Sequence, residues 1–559
     1  MASAELEAAD ILSAGLEAAD VLSAGRAGFA GAAIEQPQGD VGARARLWRA
    51  GVVVAEAEAS AGDGLTAAQV AGNALRLALG EDSDQPGDVL GIEVEAERQA
   101  REPEGLIGLI QTPLPGRHGL ILRDGESVAR GWPIDALRTD GRTAAWVKQL
   151  NREVRRPGAR LASSTSVEVF TTVEALGTVA PSDGERISPR AGGFRLVDQG
   201  EVLPDRVAGS GLQAAAWLLR HQRPDGSFAY EYAAPSGDKE GGWTPYDQLV
   251  RQCGCAWAVA MVARISRDRK IGEAAARAIS GILERHLRRD GPGRLFYLED
   301  MYGEAKLGAP PLLLLAICEL GSALRIPRET VDQLTASLLA VQSRDGRLGT
   351  KARGMELEGS ETYYAGQIVL ALARMFAIRK RPRLRTAVER SLKHYQERWQ
   401  DADERDLSFT TWMIQACDQW HANVGDDLAR NYAYEMADWA LEEQHGEDCE
   451  NPLWVGAFQN TPGIGTAAYS EGIASALSIA QRAEDEERAE RYRSALLLSM
   501  RFLLSLSLDG PEHALVGGSE HVGAVRSALH RSGLRCDNAQ HYVMSMLRAR
   551  ALCWDADGE

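Results

Sequence analysis

The stretch Trp217-Leu-Leu-Arg-His-Gln222, continued by Arg-Pro-Asp225-Gly-Ser-Phe228, decides how the longer part of the chain is read. An apolar helical run ends at a glutamine. A polar turn with Asp-Gly follows, and an aromatic residue opens the next segment. Gly supplies φ > 0 for such a turn, and Asp can accept from the backbone there. The unit recurs at Leu283-Glu-Arg-His-Leu287 with Asp290-Gly291, and at Leu338-Leu-Ala-Val-Gln342 with Asp345-Gly346. It returns at Leu392-Lys-His-Tyr-Gln396 with Asp401, at Trp439-Ala-Leu-Glu-Glu-Gln444, and at Leu503-Leu-Ser-Leu506 with Asp509-Gly510. Each mark precedes a second helix, predicted over Asp247–Ala263, Pro310–Leu324, Thr362–Phe376, Thr410–Ala422, Thr466–Ala483 and Asp537–Ala551. These second helices are less charged than the first set, which fits burial on most sides. Stacked hairpins expose an apolar face at each end unless capped or closed. Six of them closing on themselves give an (α/α)6 toroid, so the expected fold is mostly α, with the toroid over residues 206–559.

Working outward, residues 177–205 have linker composition, with Pro181, Gly184, Pro189, Gly192, Gly193 and Pro204. Residues 41–176 alternate strand and helix signals and read as a smaller α+β domain. Strands are expected within Ala45–Glu58, Val89–Glu95, Leu120–Arg123 and Val167–Thr172, and helices over Thr66–Leu79 and Thr143–Val154. Residues 1–40 form an Ala-rich acidic tail. It holds a tandem decapeptide, Leu6 to Gly15 and Leu16 to Gly25, which reads either as a weakly packed amphipathic helix or as a docking helix for a protein partner.

The chain has 559 residues, 45% apolar and 25% charged, the balance of a soluble multidomain protein. Its 62 Lys and Arg against 79 Asp and Glu leave a formal charge of -17, which repels nucleic acid and anionic lipid. The basic runs Arg152–Arg160 and Arg379–Arg381 read as solvated surface. Seven scattered cysteines, several in apolar helical runs, and an acidic N-terminus without an apolar core fit a cytoplasmic location. No apolar run is long enough to span a bilayer.

The later half resembles the six-hairpin (α/α) toroids, a group that includes glycoside hydrolases, polysaccharide lyases and sugar epimerases. Terpene cyclases and protein prenyltransferases are related toroids, and Gln222 to Phe228 is similar to the Gln-x-x-Asp-Gly-x-aromatic repeat of the cyclases. The resemblance implies the fold far more than the reaction. In the earlier half, Ala71-Gly-Asn-Ala-Leu-Arg-Leu-Ala78, Leu90-Gly-Ile-Glu-Val-Glu95 and Gly116-Arg-His-Gly-Leu-Ile-Leu-Arg-Asp-Gly125 resemble the AMMECR family. That family carries a Leu-Arg-Gly-Cys-Ile-Gly motif. Here Ala50-Gly-Val-Val-Val-Ala-Glu56 stands in its place, and no cysteine precedes Cys253, so the domain reads as structural or regulatory.

In a toroid the loops leading into the inner helices surround one mouth, where ligands bind. Those loops gather aromatic rings and carboxylates, a mixture suited to a glycan-like or other polar polymer: rings stack on C–H faces and carboxylates bind hydroxyls. Asp247, Glu361, Glu471 and Asp537 are the candidate catalytic carboxylates, with His541 an alternative acid or base; a pair of carboxylates suits glycoside hydrolysis. Each also fits a helix N-terminal role. Tyr230, Tyr232, Tyr246, Tyr363, Tyr364, Trp412, Phe458 and Tyr469 are candidate ligand-stacking rings. Arg251 and Arg535 suit an anionic group. Each also suits an ion pair, Arg251 with Asp247 at the i,i+4 spacing and Arg535 with Asp537 two residues away.

The leading expectation is therefore a hydrolase-like enzyme without a cofactor. A non-catalytic assembly protein, using the toroid and the N-terminal helix for docking, is the alternative. A third possibility is a zinc-dependent transferase or cyclase. Cys253-Gly-Cys255 points its thiols to different faces, whereas Cys536, Asp537 and His541 faintly resemble the zinc ligands of prenyltransferases. No Asp-x-Asp-Asp or Asp-Asp-x-x-Asp run, phosphate loop or Gly-x-Ser-x-Gly elbow is present.

Overall fold

A computed structural model describes residues 42–49, 52–60, 89–101, 118–124, 127–135, 143–154, 166–178, 190–191 and 194–195. It then describes residues 197–554, apart from short segments such as 235–240, 290–294 and 354–359. The tandem decapeptide, the helix expected over Thr66–Leu79 and Tyr246 lie outside the described residues.

The earlier region is an antiparallel sheet. Strands β1 (Gly42–Arg49), β2 (Val52–Ser60), β3 (Val89–Arg101), β4 (His118–Asp124), β5 (Ser127–Gly131) and β6 (Ser166–Thr178) lie in the order β2-β1-β3-β6-β4-β5. Helix α1 (Thr143–Val154) matches its sequence expectation at both ends. Strand alternation sends Leu120 and Leu122 to the α1 side, where they pack with Trp146, Val147 and Leu150. Ile121 faces the other way and joins Trp48, Trp132, Ile134, Phe170 and Ala514, the last from the helical half. Burying each large side chain contributes about 1.5–3 kcal/mol, so the sheet is held on both faces. Part of the Gly/Pro-rich stretch is not irregular. Strands β7 (Arg190–Ala191) and β8 (Phe194–Arg195) form a hairpin that extends the sheet, with Arg190 opposite Glu174.

Among the described residues twelve α-helices follow. The first of each hairpin are α2 (Pro204–Arg220), α4 (Arg269–His286), α6 (Arg328–Ala340), α8 (Pro382–Gln400), α10 (Asp427–Glu442) and α12 (Glu486–Leu504). The second are α3 (Leu249–Ser266), α5 (Ala309–Leu320), α7 (Glu361–Arg379), α9 (Leu407–Val424), α11 (Gly465–Arg482) and α13 (Cys536–Cys553). Each of the second set packs on the next, and α13 packs back on α3. The chain is thus a mostly helical (α/α)6 toroid preceded by strands. The inner set is buried nearly all round, as their sequences require: α3 is buried at Leu249 and continuously from Gln252 to Ala263. Asp268, Asp406 and Asp426 cap α4, α9 and α10, accepting from backbone N–H groups of the first turn.

The repeated glutamine is a strap between neighbouring outer helices. Gln222 Nε2 donates to Ala274 O on α4 at 2.9 Å. Gln342 Nε2 donates to Ala387 O and Ser391 Oγ on α8, both at 2.7 Å. Gln444 Nε2 donates to Ala495 O and Ser499 Oγ on α12, both at 2.9 Å. Beyond each strap a glycine with positive φ faces a carbonyl of the same neighbouring helix. Gly226 has φ 84° and Gly456 has φ 87°. A Cβ on Gly456 would stand 1.9 Å from Leu498 O. At the closing junction Gly523 takes the same place against Gln213 O of α2, and Ser507 replaces the glutamine, with its Oγ 3.3 Å from Ser210 Oγ. The expectation for the sixth Asp-Gly turn is corrected: Gly510 is extended at φ -119°, because the turn glycine of that hairpin is Gly523.

One end of the ring is stitched by charge. Glu319 of α5 binds both Arg264 of α3 and Arg374 of α7, and Asp418 of α9 binds Arg482 of α11. The other end carries the loops into α3, α5, α7, α9, α11 and α13. Short strands tie these together. β9 (Glu231–Ala233) and β10 (Gly242–Trp243) join β15 (Arg526–Ala528) and β16 (Arg531–Arg535) in the order β10-β9-β16-β15. β11 (Leu287–Arg289) pairs with β12 (Phe296–Leu298), and β13 (Ala305–Lys306) with β14 (Lys351–Arg353). Among the described residues no helix is long and apolar enough to cross a membrane.

Candidate functional site

Helix α13 presents Asp537, His541 and Arg548 along one stripe, at the spacings that place side chains on a common helical face. Around this stripe the ring gathers its polar groups. At the mouth, Arg535 binds Asp537 with two nitrogens, Nε to Oδ1 at 2.9 Å and Nη2 to Oδ2 at 2.5 Å. Arg251 of α3 places Nε 3.1 Å from Asp537 Oδ2. Burial alone would push the Asp537 carboxyl up, but Arg251 and Arg535 outweigh it and hold the group below the usual carboxylate range. Arg535 also lies over the Tyr230 ring, 5.4 Å from its centroid.

One turn deeper, His541 Nδ1 is 2.7 Å from Glu471 Oε1. Glu471 is fully buried on α11, and its Oε2 has no hydrogen-bond partner among the described residues. With Glu471 ionised, Nδ1 carries the proton and donates it, which leaves Nε2 with its lone pair. The Trp412 ring lies 5.9 Å from the imidazole. Deeper still, Arg548 Nη1 donates to Gln415 Oε1 at 2.6 Å, and Arg548 stands over the Trp257 ring. The middle of the ring is therefore a filled column: the Trp257 and Trp412 rings, from the opposite helices α3 and α9, lie 6.1 Å apart and are buried beside Arg548, Gln415 and Glu471.

The structure brings together Glu471, Asp537, His541, Arg251, Arg535, Tyr230 and Trp412. Tyr364 of α7 adjoins them: it faces Arg251 and Lys306, and its ring underlies Gly308. The other candidates sit elsewhere. Glu361 opens α7 but turns toward α8, held by Arg398 at 2.9 Å, Arg347 at 3.1 Å and the Tyr395 hydroxyl at 2.9 Å. It lines a separate 140 Å³ cavity with Trp399 and Phe409. Burial raises its carboxyl, yet the Arg347, Tyr395 and Arg398 hydrogen bonds bring it below the ordinary value. Asp247 accepts from Gln252 Nε2 at 2.7 Å. The Arg251–Asp247 pair suggested by i,i+4 spacing is replaced by Arg251–Asp537, because ring closure brings a more deeply buried carboxylate into reach.

Among the rings, Tyr363 is 47% exposed at the rim, with its hydroxyl on Ser408. Tyr469 is buried against Phe458. Phe458 is no ligand platform: it bridges Gln444 as Phe228 bridges Gln222, and is fully buried as part of a strap. Tyr232 belongs to a buried box with Trp243 and His521 rather than to the column. Sequence reasoning missed Gln415, Trp257 and Arg548. For Arg548 a signal existed, since it continues the Asp537–His541 stripe.

The seven cysteines are free thiols. Burial, then Cys536, pushes the Cys255 thiol well up. Cys536, Asp537 and His541 do not converge, because Asp537 is turned to two guanidiniums and His541 to Glu471. Among the described residues no group of three or more His, Cys, Asp or Glu side chains is placed to hold a metal ion.

No protein-family model matches the chain and no curated protein matches it, so nothing beyond the quoted residues supports the AMMECR resemblance. Solved structures do resemble it in fold. A family 76 glycoside hydrolase from a bovine Bacteroides thetaiotaomicron strain is 9% identical, with TM-score 0.48, over 82% of this chain and 96% of that one. The GH76A α-1,6-mannanase of a Salegentibacter species is 12% identical, with TM-score 0.45, over 64% and 100%. The type II terpene cyclase MstE from Scytonema is 13% identical, with TM-score 0.39, over 62% and 99%.

Proposed function

We propose that the mouth of the ring is the active site of an enzyme acting on a glycan-like ligand, with His541 as its acid–base residue. The observation that carries this reading is the contact of His541 Nδ1 with the buried Glu471 carboxylate. A buried carboxylate fixes the tautomer and ring orientation of the imidazole and stabilises its protonated form, the arrangement general acid–base chemistry uses. The His541 side chain keeps 16% exposure, so Nε2 is the nitrogen left for a ligand.

Hydrolysis by a pair of carboxylates is the less favoured chemistry. It needs one carboxyl that carries a proton and a second that is free to activate water or attack. Asp537 is held ionised between two arginines, and Glu471 lies behind His541. Trp412 is the ring beside the acid–base group, 5.9 Å from it, and Tyr230 lies under Arg535. The engagement of all four candidate carboxylates favours the second reading, a non-catalytic assembly protein, because burial and ion pairing are what a scaffold tolerates.

The two separate in one experiment. A glycan library is screened by thermal shift, and turnover of each binder is compared between the native protein and His541→Ala. The enzyme reading requires a binder whose turnover falls about 10²–10⁴-fold in the variant at unchanged melting temperature. Turnover that survives the change, or binding without turnover, puts the assembly reading ahead.

A further inference from the structure

Two guanidiniums meet one buried carboxylate at the mouth, and they share it unevenly. Arg535 is committed: both of its contacts go to Asp537, and its plane is laid on Tyr230. Arg251 touches Asp537 through Nε alone, at 3.1 Å, and its side chain is 38% exposed. Its two terminal nitrogens have no hydrogen-bond or ion-pair partner among the described residues. Asp537 is 8% exposed and accepts from Arg535 on both oxygens, while Arg251 meets it at one atom.

The nearby charges are engaged elsewhere, and Glu231 stands opposite Arg535 in the register of β9 and β16. Lys306 is taken by Glu304 at 2.8 Å and Asp300 at 3.9 Å, Lys351 binds the other Glu304 oxygen, and Asp247 is turned to Gln252. Glu471 is matched with His541. The two terminal nitrogens of Arg251 are thus directional donors, without a partner among the described residues, at the rim of the column. It lies beside Asp537, which shares one face of α13 with His541. Residues four apart on a helix lie about 5–6 Å apart at Cβ, so Arg251 meets α13 one turn before the imidazole.

We infer that the ligand carries an oxyanion, a carboxylate or a sulfate ester on a sugar ring, and that Arg251 is the residue that selects it. The inference rests on the proposed glycan site. A guanidinium fork matches two coplanar oxygens and offers two parallel charge-assisted hydrogen bonds, whereas a neutral hydroxymethyl group can use only one. Recognition of this kind is a property of Arg251 and not of positive charge alone, so lysine restores attraction without restoring the fork.

The test uses the full-length protein and three oligosaccharide series of matched linkage: neutral, oxidised to the uronic acid, and sulfated. Affinity is measured by calorimetry for the native protein, Arg251→Gln and Arg251→Lys, with melting temperatures recorded for each. Arg535 keeps Asp537 partnered in both variants, so the fold is retained. The expected result is at least tenfold tighter binding of one anionic series over the neutral one. That preference is lost in Arg251→Gln and only partly kept in Arg251→Lys, and it weakens with added salt. Preference for the carboxylated or the sulfated arm assigns the oxyanion. Equal binding of neutral and anionic series, or a preference untouched by Arg251→Gln, overturns the inference while leaving a glycan site at the mouth. Binding by none of the three series overturns both.

Discussion

His541 Nδ1 and Glu471 Oε1 lie 2.7 Å apart, on helices α13 and α11, at a depth where the carboxylate has no exposure at all. A carboxylate that far from water is costly unless something repays its desolvation. The imidazole repays it by donating from Nδ1, and that leaves the lone pair on Nε2. Replacing Glu471 by Gln keeps the volume but removes the charge. The expected outcome is a fall in turnover of about 10–100-fold, the range for loss of a group that orients a reacting one, with ligand affinity largely kept. Nitrogen chemical shifts of the imidazole check the cause: the native protein shows the Nδ1-protonated tautomer, and the variant shows a mixture.

The glutamine straps carry a stability prediction. Gln444 Nε2 is shared among Gly456 O, Ala495 O and Ser499 Oγ. Gln444→Ala removes three hydrogen bonds at the seam, although Ala495 O still accepts from Ser499 Oγ, and costs about 1–3 kcal/mol. Gln342→Ala, with two acceptors on α8, falls in the same range. Denaturant midpoints at unchanged slope are the measurement. A loss below a few tenths of a kcal/mol in both shows that the seam is held by packing and not by the strap.

The same repeat explains what the sequence could and could not reveal. Long apolar runs of helical period give the six inner helices directly, because burial on all sides leaves no polar face. Pro310–Leu324 was expected too long by four residues because Gly321, at φ 52°, ends α5 at Leu320. The Gln…Asp-Gly spacing marked the hairpin ends at Gln222 and Gln342, where one glutamine strap and one φ > 0 glycine are a local requirement; Gln444 keeps the strap with Gly456, and Ser507 with Gly523 replaces it at the closing junction. The pairing of Arg251 with Asp537 was not legible. It joins the first and last inner helices and exists only because the ring closes. Phe458 was misread for the opposite reason: it sits where ligand rings are expected, but its strand bridge to Gln444 assigns it to the seam. Local rules located the mouth, and long-range closure decided which of its residues meet.

Gly456 has the sharpest steric requirement. At φ 87° an L side chain is strained, and its Cβ would lie 1.9 Å from Leu498 O, a backbone atom that cannot swing aside. Gly456→Ala is therefore expected to cost more than either strap deletion, about 3 kcal/mol or more. Gly272→Ala is the control, because a Cβ there meets nothing and the residue lies within α4. It should be neutral or stabilising by about 0.5–1 kcal/mol. Thermal melts of the pair separate steric exclusion from a general dislike of substitution.

His521 supplies the pH prediction. It is fully buried beside Tyr232, with ring centroids 4.0 Å apart, and stacks on His221 at 5.9 Å. Neither ring nitrogen has a hydrogen-bond partner among the described residues. Burial first, then His221, Arg220 and His513, push its pKa down from 6.5 to about 4. Glu520 is the one carboxylate close by, 3.9 Å away and largely exposed. Between those two pH values the unfolded chain binds the proton and the folded chain does not, so stability falls as the pH drops from about 6.5 toward about 4. The depression corresponds to about 3 kcal/mol of native stability present at neutral pH and lost across that window. His521→Phe keeps a flat ring in the box and cannot titrate. Its melting temperature should therefore decline less than that of the native protein between pH 7 and pH 4.5, about one order of magnitude in folding equilibrium or more. Parallel declines would show that the carboxylate network, including Glu361 and Asp537, sets the acid response and that the histidine box does not.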